Sequence, residues 1–201
     1  MNILDLDAFD NSSFSAEPWD WGILENLLPL DAVKKISNEL NLLEFDTVIS
    51  RRKEKNYQME LIDLQKTKVN CDVLNAVIED LRSDEYLSRF EIFTDCQLRG
   101  RDIELNIWRY SESNYLSPHV DKRYKFLTQL LYLNEIWHAD YGGSLNILGS
   151  SDEQDIYQRI LPAYQVSPVI KNSQNAWHSV SPVTDHAPAR YCLQMIYKEG
   201  I

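Results

Sequence analysis

Glycine, cysteine, cationic residues and long apolar runs are all in short supply, and each shortage removes a class of protein. Three cysteines, Cys71, Cys96 and Cys192, are an odd number without CxxC spacing. That argues against a disulfide framework and a thiolate zinc site; reduced, mostly buried thiols are expected. No apolar stretch approaches the roughly 20 residues of a membrane-spanning helix. The start, MNILDLDAFD, has no basic region leading into an apolar run. Neither a signal peptide nor a membrane span is expected, and the chain is read as cytoplasmic. Lys and Arg total 20 against 31 Asp and Glu, a net charge of -11. Such a surface repels phosphate backbones and anionic bilayers at long range, so neither nucleic acid nor membrane is expected as a partner. Among six glycines and seven prolines in 201 residues there is no Pro/Gly/Ser-rich linker, and no repeat breaks the chain. A length of this order supports one well-buried core, so residues 1–201 are expected to form a single domain.

What is present divides into two parts. Residues 30–43 carry apolar Ala32, Val33, Ile36, Leu40 and Leu43 at near-helical spacing after Pro29, which predicts an amphipathic helix. Residues 72–90 read as another. From Ile103 onward the runs are short and β-rich: IELNIWRY, FLTQLLYLN, SLNIL, YQVSPVI, AWHSV and RYCLQMIYK, separated by polar or Gly/Pro turns. Helices followed by many short strands predict an α+β, β-dominated protein, with residues 1–100 supporting a sandwich or barrel-like core over 103–198.

The segment SPHVD sets His119 and Asp121 two apart, and an extended strand projects both side chains from one face. A third metal ligand would come from His138, His178 or His186. His178 lies in the strand-like NAWHSV, whereas His138 and His186 lie in loop-like IWHADYGG and VTDHAPA. Two histidines and a carboxylate on a barrel frame make the facial triad of non-haem Fe(II) oxygenases, which leaves positions open for a bidentate oxoacid and dioxygen. Twelve residues past His178, Arg190 opens RYCLQMIYK, where alternation puts Arg190, Cys192, Gln194 and Ile196 on one face. Turned inward, that permanent cation needs an anion, and a dicarboxylate would satisfy it with a bidentate pair. In the strand before the metal motif, Asn106, Trp108 and Tyr110 share a face expected to line the substrate side. Arg109 and Arg123 are candidates for an acidic substrate group, with a surface role the commoner expectation for each.

The order Y-x-x-x-x-Y-x-x-x-H-V-D, then KFLTQLLYLNEIWHADYGGSLNIL, NAWHSVSPV and ARYCLQMIYK resembles the 2-oxoglutarate/Fe(II)-dependent dioxygenases of the prolyl-4-hydroxylase-like branch. The block T-x-x-x-Y-L-N-x-x-W before Gly142-Gly143 is most similar to the subgroup of hypoxia-sensing prolyl hydroxylases. The resemblance spans about residues 103–198. It implies a double-stranded β-helix, or jelly roll, with the N-terminal helices packed outside one sheet. It further implies Fe(II) on His119, Asp121 and His178, with dioxygen and 2-oxoglutarate as cosubstrates. The distal carboxylate of 2-oxoglutarate would be held by Arg190 with the Tyr132 hydroxyl, and strand parity brings Thr128 to the same side as Tyr132. An acidic residue at 121 speaks against the halogenases of this group, which carry a small residue there. Hydroxylation of a small molecule, such as a free or carrier-linked amino acid or a secondary metabolite, is the expected activity. A prolyl or other protein side chain is the alternative, and a non-catalytic jelly-roll binding module is the non-enzyme reading. The His178 to Arg190 interval, which carries VTDHAPA, is a little longer than in the hypoxia-type enzymes, so His186 is a candidate for the mouth of the site. The first hundred residues match no subgroup.

Overall fold

A computed structural model describes residues 2–52 and 55–200. Among the described residues, three α-helices, α1 (Leu30–Leu40), α2 (Asp72–Leu81) and α3 (Asp84–Thr94), and two short 3-10 helices accompany twelve strands. The strands are β1 (Ser13–Ser15), β2 (Trp21–Glu25), β3 (Asp46–Arg52), β4 (Lys55–Asp63), β5 (Ile103–Tyr110), β6 (Tyr115–His119), β7 (Lys125–Tyr132), β8 (Leu145–Leu148), β9 (Ile156–Ile160), β10 (Val166–Lys171), β11 (His178–Val180) and β12 (Arg190–Lys198). Among the described residues, no helix is long and apolar enough to cross a membrane.

The strands pair antiparallel in one continuous ladder whose central order is β10-β7-β12-β5-β4-β6-β11-β8-β9. Two four-stranded sheets, β10-β7-β12-β5 and β6-β11-β8-β9, thus face each other as a jelly roll, with β4 as the hinge between them. Its first half pairs β6 (Tyr57↔Leu116) and its second half pairs β5 (Glu60↔Arg109). Alternation then sorts the side chains. On β12, Leu193, Met195 and Tyr197 point outward into a core with Leu127 and Leu131 of β7 and with Val33, Ile36, Leu74, Val77 and Phe90 of the helices. Arg190, Cys192, Gln194 and Ile196 point inward, opposite Tyr132, Leu130 and Thr128 in the β12–β7 register.

The first helix ends at Leu40, and Leu43, expected inside it, packs on the core from just beyond. The expected helix over residues 72–90 is two helices. Ser83 leaves helical geometry (ψ 150°), its hydroxyl donates to the Asp80 carbonyl and accepts from the Tyr86 N–H, and Asp84 and Glu85 follow in the first turn. Capping and first-turn acids outweigh continuation there. Strand β9 was not expected; its pattern of three consecutive exposed residues carries no alternation to read.

Outside the barrel, Arg109 gives Glu60 two hydrogen bonds, 2.8 Å from Nε and 3.0 Å from Nη2, and Ser111 adds a third. The Arg109 hydrogen bond holds the Glu60 carboxyl below its ordinary value of 4.5, against the upward push of burial. A depressed carboxyl stabilises the fold above its unfolded value, and that stability is lost as pH falls through the folded value. Glu60→Gln is therefore expected to cost about 1–2 kcal/mol near pH 7. The gap to the parent should close in urea titrations run well below pH 4.5; a gap that is constant with pH would exclude an ionic role for Glu60.

Candidate metal and cosubstrate site

Strand pairing assembles the triad. His178 opens β11 directly across from His119, the last residue of β6, and their ring centroids lie 4.2 Å apart. Asp121 follows two residues on, and one ligand atom from each of His119, Asp121 and His178 falls within 4.8 Å of the others. All three side chains are buried. Each imidazole Nδ1 lies 2.9 Å from a backbone carbonyl, Ser117 O for His119 and Ala176 O for His178. A carbonyl only accepts, so Nδ1 carries the proton and Nε2 keeps its lone pair for a metal. The carboxylate of Asp121 takes a 2.9 Å bond from Lys125 Nζ at Oδ1 and a longer 3.4 Å bond from the Thr128 hydroxyl at Oδ2. Two neutral imidazoles and a carboxylate are a donor set suited to a divalent first-row metal with open positions.

The triad borders a cavity of about 910 Å³, and Arg190 lines its deep wall at 1% exposure. Its guanidinium carbon sits 4.7 Å from the Tyr110 ring centroid and 4.9 Å from that of Tyr132. Its Nε has no hydrogen-bond partner, nor does the Tyr132 hydroxyl. No carboxylate among the described residues lies within ion-pair distance of Arg190. Burial pushes the Tyr132 hydroxyl up to about 12, with Arg190 pulling the other way, and raises Tyr110 and the Cys192 thiol likewise. All three therefore stay neutral, and none supplies the anion that a buried guanidinium requires. A buried cation with an unbonded Nε, a hydroxyl beside it and no carboxylate in reach is an environment a carboxylate would complete.

Room for Arg190 is made by Gly143, at φ +64°, where an added Cβ would lie 3.1 Å from Arg190 Cδ and 3.1 Å from Trp137 Cζ2. At Gly142, φ +68°, a Cβ would meet the Pro182 carbonyl oxygen at 2.0 Å. Gly142→Ala must move backbone as well as accept a strained φ, so a loss of about 2 kcal/mol or more is expected. Urea unfolding measures it, and an unchanged midpoint would show that the Gly142–Val183 bridge yields freely.

Residues 105–198 match the family model described as "2OG-Fe(II) oxygenase superfamily". This segment belongs to that superfamily. The oxygenase segment spans β5 to β12 and contains the triad and Arg190. Its family's chemistry uses Fe(II), 2-oxoglutarate and dioxygen, and the donor set and the buried guanidinium without a carboxylate partner fit the first two. No curated protein sequence matches the chain.

Among solved structures, a Pseudomonas putida prolyl-4-hydroxylase superposes with a TM-score of 0.67 at 18% identity, over 90% of this chain and 93% of that one. A prolyl hydroxylase from Trichoplax adhaerens, in complex with a hypoxia-inducible-factor peptide fragment, gives 0.68 at 17% identity over 89% and 83%. The viral collagen prolyl hydroxylase of Paramecium bursaria Chlorella virus-1, solved as a 2OG complex, gives 0.61 at 14% over 90% and 96%. At such identities the likeness establishes a shared fold.

Asn106, Trp108 and Tyr110 all line the cavity, and Thr128 lies beside Asp121, while Tyr132 packs against Arg190 and is not itself among the lining residues. Arg109 is committed to Glu60, and Arg123 does not line the cavity, so neither is placed for an acidic substrate group. His138 and His186 stand apart from the triad. His186 is exposed, next to Asp140 and Asp185 at 3.7 and 3.1 Å, and does not reach the mouth. Lys125 on Asp121, Trp19 packed 6.4 Å from the His178 ring and the β3–β4 hairpin along the cavity were not anticipated. Only the four-residue interval from Asp121 to Lys125, opposite charges near one ligand, was a usable signal.

Proposed function

We propose that His119, Asp121 and His178 hold Fe(II), that Arg190 and Tyr132 hold the distal carboxylate of 2-oxoglutarate, and that the whole chain works as one cytoplasmic hydroxylase unit. The observation that carries this reading is a three-ligand metal cluster and a buried guanidinium without a carboxylate partner, both lining one cavity. When bound, iron and 2-oxoglutarate with dioxygen supply the oxidising power, and the cosubstrate leaves as succinate and carbon dioxide.

The chain's own residues do the rest. The Ser117 and Ala176 carbonyls fix the tautomers of the two histidines, so both present a lone pair without reorganising. Thr128 and Lys125 orient the Asp121 carboxylate. Arg190 and Tyr132 set the register of the cosubstrate, because a fork and a hydroxyl in a desolvated wall admit one carboxylate orientation. The aromatic walls, Trp108 and Tyr110 among them, exclude water from the reacting centre.

The substrate favoured is a small molecule, in keeping with the cavity volume. A peptide side chain is the second reading, supported by the exposed β3–β4 hairpin that borders the cavity and would flank an extended chain. Succinate release, screened across free amino acids, carrier-linked amino acids and proline-containing peptides, tests both. Stimulation by one class chooses between them, and iron-loaded protein that never consumes 2-oxoglutarate would contradict the hydroxylase reading.

A further inference from the structure

The exposed members of the cavity lining mark its mouth: Ile49, Arg51 and Arg52 on β3, and Lys122 and Tyr124 in the turn after Asp121. Three of these five side chains are cationic, on a protein whose net charge is -11. Every carboxylate that lines the cavity already has a lysine. Asp63 is 3.0 Å from Lys66, Glu104 is 3.4 Å from Lys198, and Asp121 is 2.9 Å from Lys125. The exposed cations at the mouth are not matched in this way. Arg51 spends its guanidinium inside the hairpin, on the Ser50 and Tyr57 carbonyls and the side chains of Asn56 and Gln58. Arg52 and Lys122 make no ion pair and no side-chain hydrogen bond among the described residues. Two elements far apart in sequence thus bring to one opening positive charge that no carboxylate among the described residues pairs.

A second observation concerns the inner wall. Gln194 Oε1 accepts from Trp108 Nε1 at 2.8 Å and from Asn106 Nδ2 at 3.3 Å. An indole N–H only donates, so the amide cannot be flipped, and Gln194 Nε2 is left as the free end. It has no partner among the described residues, and Gln194 is the one half-buried residue between Tyr191 and Tyr197 on β12. From mouth to wall, the cavity offers donors and positive charge.

We propose that the substrate of this site is anionic: a carboxylate or phosphate held at the mouth by Arg52 and Lys122, with Gln194 Nε2 donating to an acceptor further in. This rests on the hydroxylase reading, which makes this cavity the substrate's. The two cations differ in what they recognise. Arginine gives a planar fork and lysine a point charge, so together they suit a carboxylate or phosphate more than a neutral acceptor. Because both are exposed, their attraction is screened by salt.

The test uses the full chain loaded with Zn(II) and 2-oxoglutarate, so that binding is read without turnover. Calorimetric titrations compare N-acetylglutamate and N-acetyl-O-phosphoserine with the neutral N-acetylglutamine amide, and a capped Glu-rich proline peptide with its Gln-rich counterpart. The acidic member of a pair is expected to bind at least tenfold tighter, with the preference shrinking as salt rises from about 50 mM to about 300 mM. Whether the small acids or the peptide carry the effect identifies the source of the anion. The double variant Arg52→Glu/Lys122→Glu should erase the preference. Gln194→Glu, which keeps the acceptor for Trp108 and Asn106 but loses the donor, should weaken the acidic probe further than the neutral one. Equal affinity within every pair, no binding of any acidic probe, or a preference that survives the double variant would overturn the proposal. Titration of 2-oxoglutarate into the same zinc-loaded samples reads the Arg190 end separately, so a failure there would count against the hydroxylase reading instead.

Discussion

His178→Ala is expected to lose turnover by more than about 100-fold while keeping its fold. Removing partners that merely orient a ligand costs about 10–100-fold in metal affinity, so deleting the ligand itself should cost more. The fold should persist because the largest core cluster lies on the other face of the β10-β7-β12-β5 sheet, among the helices, and includes none of the triad. His119→Ala and Asp121→Ala should behave alike. Asp121→Ala carries one added consequence, since Lys125 is then left without its carboxylate at a site 13% exposed. Iron binding by equilibrium dialysis, with far-UV circular dichroism to check folding, measures all three. A folded variant with parental turnover would remove that residue from the metal site.

Arg190→Lys should raise the 2-oxoglutarate requirement at least tenfold and leave iron affinity nearly unchanged. An ammonium cannot reproduce a bidentate fork, and a charge-assisted hydrogen bond lost from a desolvated pair is worth on the order of 2 kcal/mol. Tyr132→Phe probes the same carboxylate with a smaller cost, about 1 kcal/mol in cosubstrate affinity. The two variants also part in stability. The Tyr132 hydroxyl is buried and makes no well-formed hydrogen bond, so deleting it should change the stability of the unliganded protein little. A purely structural tyrosine would instead lose stability and leave 2-oxoglutarate binding alone. If Arg190→Lys binds the cosubstrate as tightly as the parent, another cation holds the carboxylate, and Lys125 is the nearest to the triad.

Much of the site was legible because a strand has a period of two. Once RYCLQMIYK was a strand, its parity put Arg190, Cys192, Gln194 and Ile196 together, and the register with β7 added Thr128 and Tyr132. The same rule set Asn106, Trp108 and Tyr110 on the cavity wall. What stayed hidden depends on contacts between distant segments. Nothing local in DTVISRR tells that Arg52 will reach the mouth, since that strand is mostly exposed and lacks an apolar face. Trp19 meets His178 through a long-range contact, with Trp19 Nε1 donating to the Leu148 carbonyl at 2.9 Å on β8, beside β11. The Asp72–Phe90 helix was split by a serine whose capping bonds compete with a helical pattern that is otherwise unbroken.

The central claim is that one cavity holds a metal on His119, Asp121 and His178 and a dicarboxylate on Arg190. Its most direct test is an air-free titration of Fe(II) followed by 2-oxoglutarate, with the visible charge-transfer absorption of the chelate as readout. The account predicts a band that needs both additions, is absent in His178→Ala, and requires at least tenfold more 2-oxoglutarate in Arg190→Lys. A parent protein that binds Fe(II) yet develops no absorption with 2-oxoglutarate, or a band unaffected by either substitution, would contradict it.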